Sequence, residues 1–97
     1  MRIIAKRTLR TFWKRHPKAK GPLEAWHQEV AGADWATPSA VKAQFRSASV
    51  LQDNRMVFNI AGNQYRLIVK INYPYQIVYI RFIGTHAEYD AIDATTI

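Results

Sequence analysis

The hydrophobic pattern of this chain changes period once. Apolar residues recur at helical spacing through the first half and alternate with polar ones from Arg55 onward. From about Ile4 to His16 the spacing predicts a helix, with Leu9, Phe12 and Trp13 on one side and Lys6, Arg7, Arg10 and Lys14 crowding an adjacent side. Pro17 ends that pattern, because proline lacks an amide donor and disfavours helical geometry in the residue before it. Lys18 to Gly21 reads as a basic linker. A second helix is expected with Pro22 at its first position, Leu23, Trp26 and Val30 on its apolar face, and Gly32 as its stop. Thr37-Pro38, a capping hydroxyl followed by proline, predicts one or two further turns through Phe45.

The second half reads as strands. Arg55 to Ile60 alternates, Ala61-Gly62-Asn63 supplies turn residues, and Gln64 to Ile71 alternates again. Tyr73-Pro74-Tyr75 marks another turn before a third strand over Gln76 to Ile83. Helices followed by an antiparallel meander predict one α+β domain over residues 1–97, with the sheet burying one face on the helices.

A period of two then sorts the side chains. If Met56, Phe58, Ile60, Tyr65, Leu67 and Val69 point inward, Arg55, Val57, Asn59, Arg66, Ile68 and Lys70 point outward, unless a bulge intervenes. On the third strand Val78, Ile80 and Phe82 read as inward, and Tyr79 and Arg81 as outward. Arg55, Arg66, Lys70 and Arg81 are thereby expected on one face, with Asn59 and Tyr79 among them and no carboxylate. Cations interleaved with a ring and an amide suit RNA: charge for phosphate, a ring for base stacking, an amide for a base edge. A solvated strand face would also be polar, but it gives no reason for one sign of charge.

Composition sharpens that reading. Fourteen Lys and Arg against seven Asp and Glu give a net charge of +7, which suits an anionic partner. The absence of cysteine excludes disulfides, thiolate metal sites and cysteine nucleophiles, and fits a reducing, cytoplasmic setting. No apolar run is long enough for a membrane span, so no membrane partner is expected. The first twenty residues carry eight basic and no acidic side chains, a balance shared with organellar transit peptides. Their apolar residues are needed for the core, and the segment reads as part of the mature fold.

Thr85 and Glu88 have capping-box spacing, which predicts a helix from His86 towards Asp93. His86 then sits in its first turn at the rim of the basic face, with Tyr89 three residues on. Imidazole is the side chain best suited to exchange a proton near neutral pH, although a lone histidine is more often structural. His16 and His27 fall within the helical part and are weaker choices.

Val57-Phe58-Asn59-Ile60, Gly62-Asn63, Tyr65-Arg66-Leu67, Tyr79-Ile80-Arg81 and the closing Thr85-His86-Ala87-Glu88-Tyr89-Asp90 together resemble the HigB family of type II toxin–antitoxin toxins, within the wider RelE-like group. The resemblance extends over nearly the whole chain. It implies a RelE-like fold, helices on a curved antiparallel sheet of three or more strands with a short C-terminal helix. It also implies endoribonuclease cleavage of mRNA, usually on the translating ribosome, and a cognate HigA-like antitoxin. On this resemblance Arg66 matches the family's strand arginine, and His86 and Tyr89 match its closing polar pair; these are the expected catalytic residues. Arg55, Asn59 and Lys70 match more loosely as RNA contacts, beside Tyr79 and Arg81.

The chemistry so implied needs no metal and no cofactor: the RNA 2′-hydroxyl attacks its own phosphate while Arg66 holds the charge and His86 moves a proton. Lys6, Arg7, Arg10 and Lys14 are expected to hold RNA phosphates or an acidic antitoxin segment. A non-catalytic RNA- or ribosome-binding module is the alternative, and it leaves His86 and Tyr89 without a purpose. A DNA-groove reading of the first helix conflicts with Phe12 and Trp13, which are needed for packing.

Overall fold

The computed structural model describes all residues from Met1 to Ile97. In chain order the elements are β1 (Arg2–Ile4), α1 (Lys6–Arg15), a single 3-10 turn (Pro17–Ala19), α2 (Lys20–Ala31) and α3 (Pro38–Gln44). β2 (Ser49–Val50), β3 (Arg55–Ile60), β4 (Tyr65–Asn72), β5 (Ile77–Thr85) and α4 (His86–Asp90) follow. The expected meander is present, with β3, β4 and β5 paired antiparallel. Two short strands extend it to five in the order β1-β5-β4-β3-β2, and β1 runs parallel to β5. The fold is α+β, with the helices on one face of a mixed sheet. No helix is long and apolar enough to cross a membrane.

The expected inward row forms the core. Met56, Phe58, Ile60, Tyr65, Leu67, Val69, Ile71 and Val78 are buried against Leu9, Phe12, Leu23, Trp26, Val30, Trp35 and Val41. Phe58 is the hub: Trp26 and Phe45 meet it edge-on at 5.4 and 5.1 Å, and Trp35 stacks parallel to it at 6.5 Å. Truncating a buried aromatic of this kind costs about 3–5 kcal/mol. Trp35 is tied further by its indole N–H to Gln44 Oε1 at 3.0 Å and by its carbonyl, which accepts from Gln76 Nε2.

Several boundaries differ from expectation for physical reasons. Arg2–Ile4 is a strand, not a helix start, because it pairs with Ile77–Tyr79, far away in sequence. Lys20 and Gly21, expected in a linker, open α2. Pro22 then stands third in the helix, where the missing amide has no intrahelical partner to lose. α3 begins as expected, with the Thr37 hydroxyl accepting from the Ala40 amide. The β2–β3 hairpin turns on Asp53 and Asn54, both at positive φ, the geometry of a tight primed turn. α4 ends at Asp90 rather than Asp93, and the Asp93 carboxylate accepts from the Thr95 amide and hydroxyl in a turn of its own.

Candidate RNA-binding and catalytic site

The outer face of the sheet is set by register. Arg55 pairs with Lys70 and Lys70 with Tyr79; Asn59 pairs with Arg66 and Arg66 with Gly84. Between these two polar rows lies an apolar one, Val57–Ile68–Phe82. Phe82 therefore faces outward, contrary to expectation. The cause is a bulge: Ile68 pairs with Phe82 but Val69 with Ile80, so Arg81 is the extra residue and the alternation changes phase there. Arg81 stays exposed, but at the bulge rather than within either polar row. The Phe82 ring lies over Gly84, where an added Cβ would stand 2.5 Å from Phe82 Cζ. A side chain at Gly84 would force the Phe82 ring to move.

The expectation of one cationic face without a carboxylate is corrected twice. First, Arg66 and Lys70 stand four residues apart on β4, about 13 Å at strand rise, so the cations form two clusters. Second, one cluster is neutralised from within. Asp53, projecting from the β2–β3 turn, accepts from Arg55 Nη1 at 2.9 Å and from Lys70 Nζ at 3.1 Å. These two hydrogen bonds hold the Asp53 carboxyl below its ordinary pKa. Arg55 is also 8% exposed, and its Nε donates to the Ile97 main-chain oxygen at 3.0 Å. That contact brings the last residues onto the outer face, where Val57 and Ile68 are buried. Arg55 is a structural cation here and not a free phosphate ligand. Lys70 keeps a 39% exposed side chain, and with Tyr79 and Asn54 it lines a cavity of about 240 Å³.

The other cluster is open. Arg66 is half-buried; its guanidinium donates to the Asn63 carbonyl and side-chain oxygens and to the Tyr65 carbonyl, and lies 5.9 Å from the Tyr89 ring centre. No carboxylate pairs with it. The hydrogen bonds and the ring fix the plane of the fork, and pre-orientation of this kind favours bidentate phosphate binding. The His86 amide donates to the Gln64 carbonyl, which places the start of α4 beside the Arg66 end of β4.

α4 is held by the expected capping box: the Glu88 amide donates to Thr85 Oγ1 at 3.2 Å, and the Thr85 amide donates to Glu88 Oε1 at 2.8 Å. The Thr85 amide is the main reason the Glu88 carboxyl lies below its ordinary pKa, with His16 and Arg15 adding smaller contributions. One turn of helix brings His86 Nδ1 to 2.9 Å from Asp90 Oδ2. Asp90 was not singled out from the sequence. Its signal was present as the i, i+4 spacing from His86 on a short helix. A carboxylate on Nδ1 fixes the ring and leaves Nε2 to exchange a proton.

The α1 cations divide by direction. Lys6 is half-buried towards α2, where it adds to the burial that lowers the His27 pKa. Arg10 and Lys14 are exposed. Arg7 turns to the β5 side and lines a groove there with Arg15, a residue not singled out from the sequence. His16 stacks on Phe12 at 4.4 Å and meets Tyr65 edge-on, a packed position. No cluster of three or more metal-ligating His, Cys, Asp or Glu side chains forms.

Known proteins share this arrangement of sequence. A sequence profile for a family described as the RelE-like toxic component of a toxin-antitoxin system, HigB toxin, matches residues 19–92. The chain is 31% identical over 96 residues to the mRNA interferase toxin HigB of Escherichia coli K12, covering 97% of this chain and 92% of that protein. The mRNA interferase HigB of Shigella flexneri is similar at the same identity, and that of Escherichia coli O6:H1 at 24% over 94 residues. The matched region takes in β3, β4, β5 and α4, the elements that carry Arg66, His86 and Tyr89. The chain therefore belongs to the HigB family of RelE-like toxins, the toxic components of toxin–antitoxin systems.

Proposed function

We propose that this toxin is an endoribonuclease that cuts mRNA at the Arg66 end of its sheet, during translation on the ribosome. The observation that carries the reading is the grouping of an unpaired, pre-oriented guanidinium, an aromatic ring under it, and a histidine held by a carboxylate at the start of the adjoining helix. Similarity to proteins named mRNA interferase supplies the substrate class.

In this mechanism the RNA 2′-oxygen attacks the adjacent phosphorus, and the bond to the 5′-oxygen of the next nucleotide breaks. The products are a 2′,3′-cyclic phosphate and a free 5′-hydroxyl. His86 Nε2 accepts the 2′-hydroxyl proton, with Asp90 holding the ring and stabilising the imidazolium as it forms. Arg66 holds the non-bridging phosphate oxygens as their charge increases, a role in which one lost donor costs about 10²–10³-fold in rate. Tyr89 stacks on a base or returns a proton to the leaving 5′-oxygen. Asn59, opposite Arg66, offers an amide to a base edge. Lys70, Tyr79 and Arg81, with Lys6, Arg10 and Lys14 on α1, extend the cationic path for mRNA or ribosomal RNA. A cytoplasmic location and a HigA-like antitoxin belong to the same reading.

The test is to incubate the protein with mRNA, with and without translating ribosomes, and to map the ends produced. Cut products with 5′-hydroxyl ends are expected when ribosomes are present. Binding without any cut in both formats would replace this reading with the non-catalytic RNA- or ribosome-binding module.

A further inference from the structure

At the neutralised end of the outer face, the cavity of about 240 Å³ is lined by the sheet and by both turns that close it there. Lys70 and Tyr79, opposite each other on β4 and β5, form its sheet side. Asn54 enters from the β2–β3 turn, and Asn72 and Pro74 from the end of β4 and the turn that follows. The Asn72 side-chain oxygen accepts from the Tyr75 amide at 3.1 Å, so its NH2 group is left to donate elsewhere. Asn54 stands at a φ of 61°, and its carbonyl accepts from the Ile71 amide at 2.9 Å, which fixes its backbone. No hydrogen bond within the chain engages the Asn54 side chain or the Tyr79 hydroxyl.

The chemistry of the cavity selects an occupant. Asp53 already holds Lys70 Nζ at 3.1 Å, which makes this end a weak phosphate clamp and suits it to an uncharged group. Two side-chain amides offer donors and acceptors together, the pattern that reads the edge of a nucleobase. Tyr79 supplies a ring on which a base stacks, and Tyr75, next to Pro74 in the adjoining turn, is a second ring at 76% exposure. The volume lies below the roughly 300–1,000 Å³ of most small-molecule sites and suits a single base. An aliphatic ligand would leave both amides unpaired. A peptide strand finds no open edge here, because β4 is paired on both sides and β1 covers Ile77–Tyr79.

We propose that this cavity is a base-binding subsite for the RNA strand held at Arg66, and that it sets a sequence preference away from the cut. The proposal rests on the reading of the Arg66 end as an RNA site. Lys70 stands about 13 Å from Arg66 at strand rise, so the base it receives is not that of the nucleotide being cut. Arg81, exposed at the β5 bulge, lies between the two ends and offers one cation to the connecting backbone. The two ends thereby divide one substrate: the free charge at Arg66 holds phosphate, and the neutralised end reads a base.

Single-stranded RNA oligonucleotides in which one abasic nucleotide is moved a position at a time test the proposal. They are bound to the full chain carrying His86→Ala, so that no cut intervenes. At one position away from the cut site, loss of the base is expected to weaken binding at least about fivefold, the lower end for one stacked base. That penalty is expected to disappear when Tyr79→Leu is added and to return with Tyr79→Phe, which keeps the ring. Asn54→Gly, which suits the positive φ, is expected to keep the penalty and to reduce discrimination among the four bases at that position. Cut sites mapped on translated mRNA are expected to lose their base preference at the same offset in Tyr79→Leu alone. A penalty that persists in Tyr79→Leu, or no base-dependent position in either binding or cut sites, would overturn the proposal. So would a Tyr79→Leu chain that loses ribosome binding and nothing base-dependent, since the cavity would then be a ribosomal contact. A wild-type chain that cuts no mRNA, beside binding with the expected base dependence, would sink the nuclease reading and leave the subsite standing.

Discussion

The two ends of the outer sheet face carry similar side chains and differ in what those side chains are paired with. At one end Arg55 and Lys70, beside Tyr79, are bridged by Asp53, which neutralises much of their charge and fastens the β2–β3 turn to the sheet. At the other end Arg66 finds only neutral oxygens and the Tyr89 ring, with His86 and Asp90 following on α4. A cation satisfied by a carboxylate from its own chain stabilises the fold. A cation fixed by neutral acceptors keeps its charge for a ligand.

The largest expected effects are losses of catalysis, and they separate the two ends. Arg66→Lys keeps the charge but loses the fork, and it is expected to lower mRNA cleavage by about 10²–10³-fold with little change in melting temperature. Arg55→Ala is expected to do the reverse. It leaves cleavage per folded molecule near wild type and lowers stability by about 1–2 kcal/mol through the lost part-buried hydrogen bonds to Ile97 and Asp53. Similar rate losses in both variants would erase the distinction. Within the open end, His86→Ala is expected to cost about 10²–10⁴-fold and leave measurable activity, because phosphate stabilisation by Arg66 persists. Asp90→Asn, which keeps His86 but removes the carboxylate that orients its ring and stabilises the imidazolium, is expected to cost less than His86→Ala and to shift the pH–rate profile.

Much of this arrangement could be read from the sequence. The inward row of β3 and β4, the Thr37 cap and the Thr85–Glu88 capping box depend on local periodicity and spacing, and they appear in the structure as expected. What could not be read depends on partners distant along the chain. β1 exists because Ile77–Tyr79 lies beside it, and Arg55 is structural because Asp53 turns back and Ile97 arrives across 42 residues. The bulge that turns Phe82 outward is likewise invisible to strict alternation. His86 and Tyr89 are proposed from the closing motif, whereas the His86–Asp90 contact was signalled only by its i, i+4 spacing.

An intermediate effect is expected at Gly84. Its open-end position lies directly under Phe82, so Gly84→Ala forces the ring aside at an overpacking cost of about 1–3 kcal/mol. Thermal melts together with cleavage rates are expected to fall in that variant, because Gly84 is also the cross-strand neighbour of Arg66. An unchanged melt would show that Phe82 moves freely.

The smallest expected effect is pH dependence. Asp53 and Glu88 both have carboxyl pKa values lowered in the folded chain, Asp53 by hydrogen bonds from Lys70 and Arg55 and Glu88 chiefly by the Thr85 amide. Their stabilisation is therefore fully present above the unfolded values, about 3.9 and 4.3, and is lost as pH falls through the lower folded values. Melting temperature is expected to hold steady between about pH 5 and 7 and to fall below about pH 4, with Asp53→Asn showing a shallower fall. An Asp53→Asn curve parallel to wild type would remove Asp53 from the stabilising cluster.

The Arg66 end of the sheet is proposed to cut RNA by promoting attack of the RNA 2′-hydroxyl on its adjacent phosphate. An mRNA carrying a single 2′-deoxynucleotide on the 5′ side of a mapped cut site, translated in the presence of the toxin, tests this most directly. Cleavage at that site is expected to vanish while cuts elsewhere on the same message continue. Undiminished cleavage at the deoxy position, leaving a 5′-phosphate, would contradict the account.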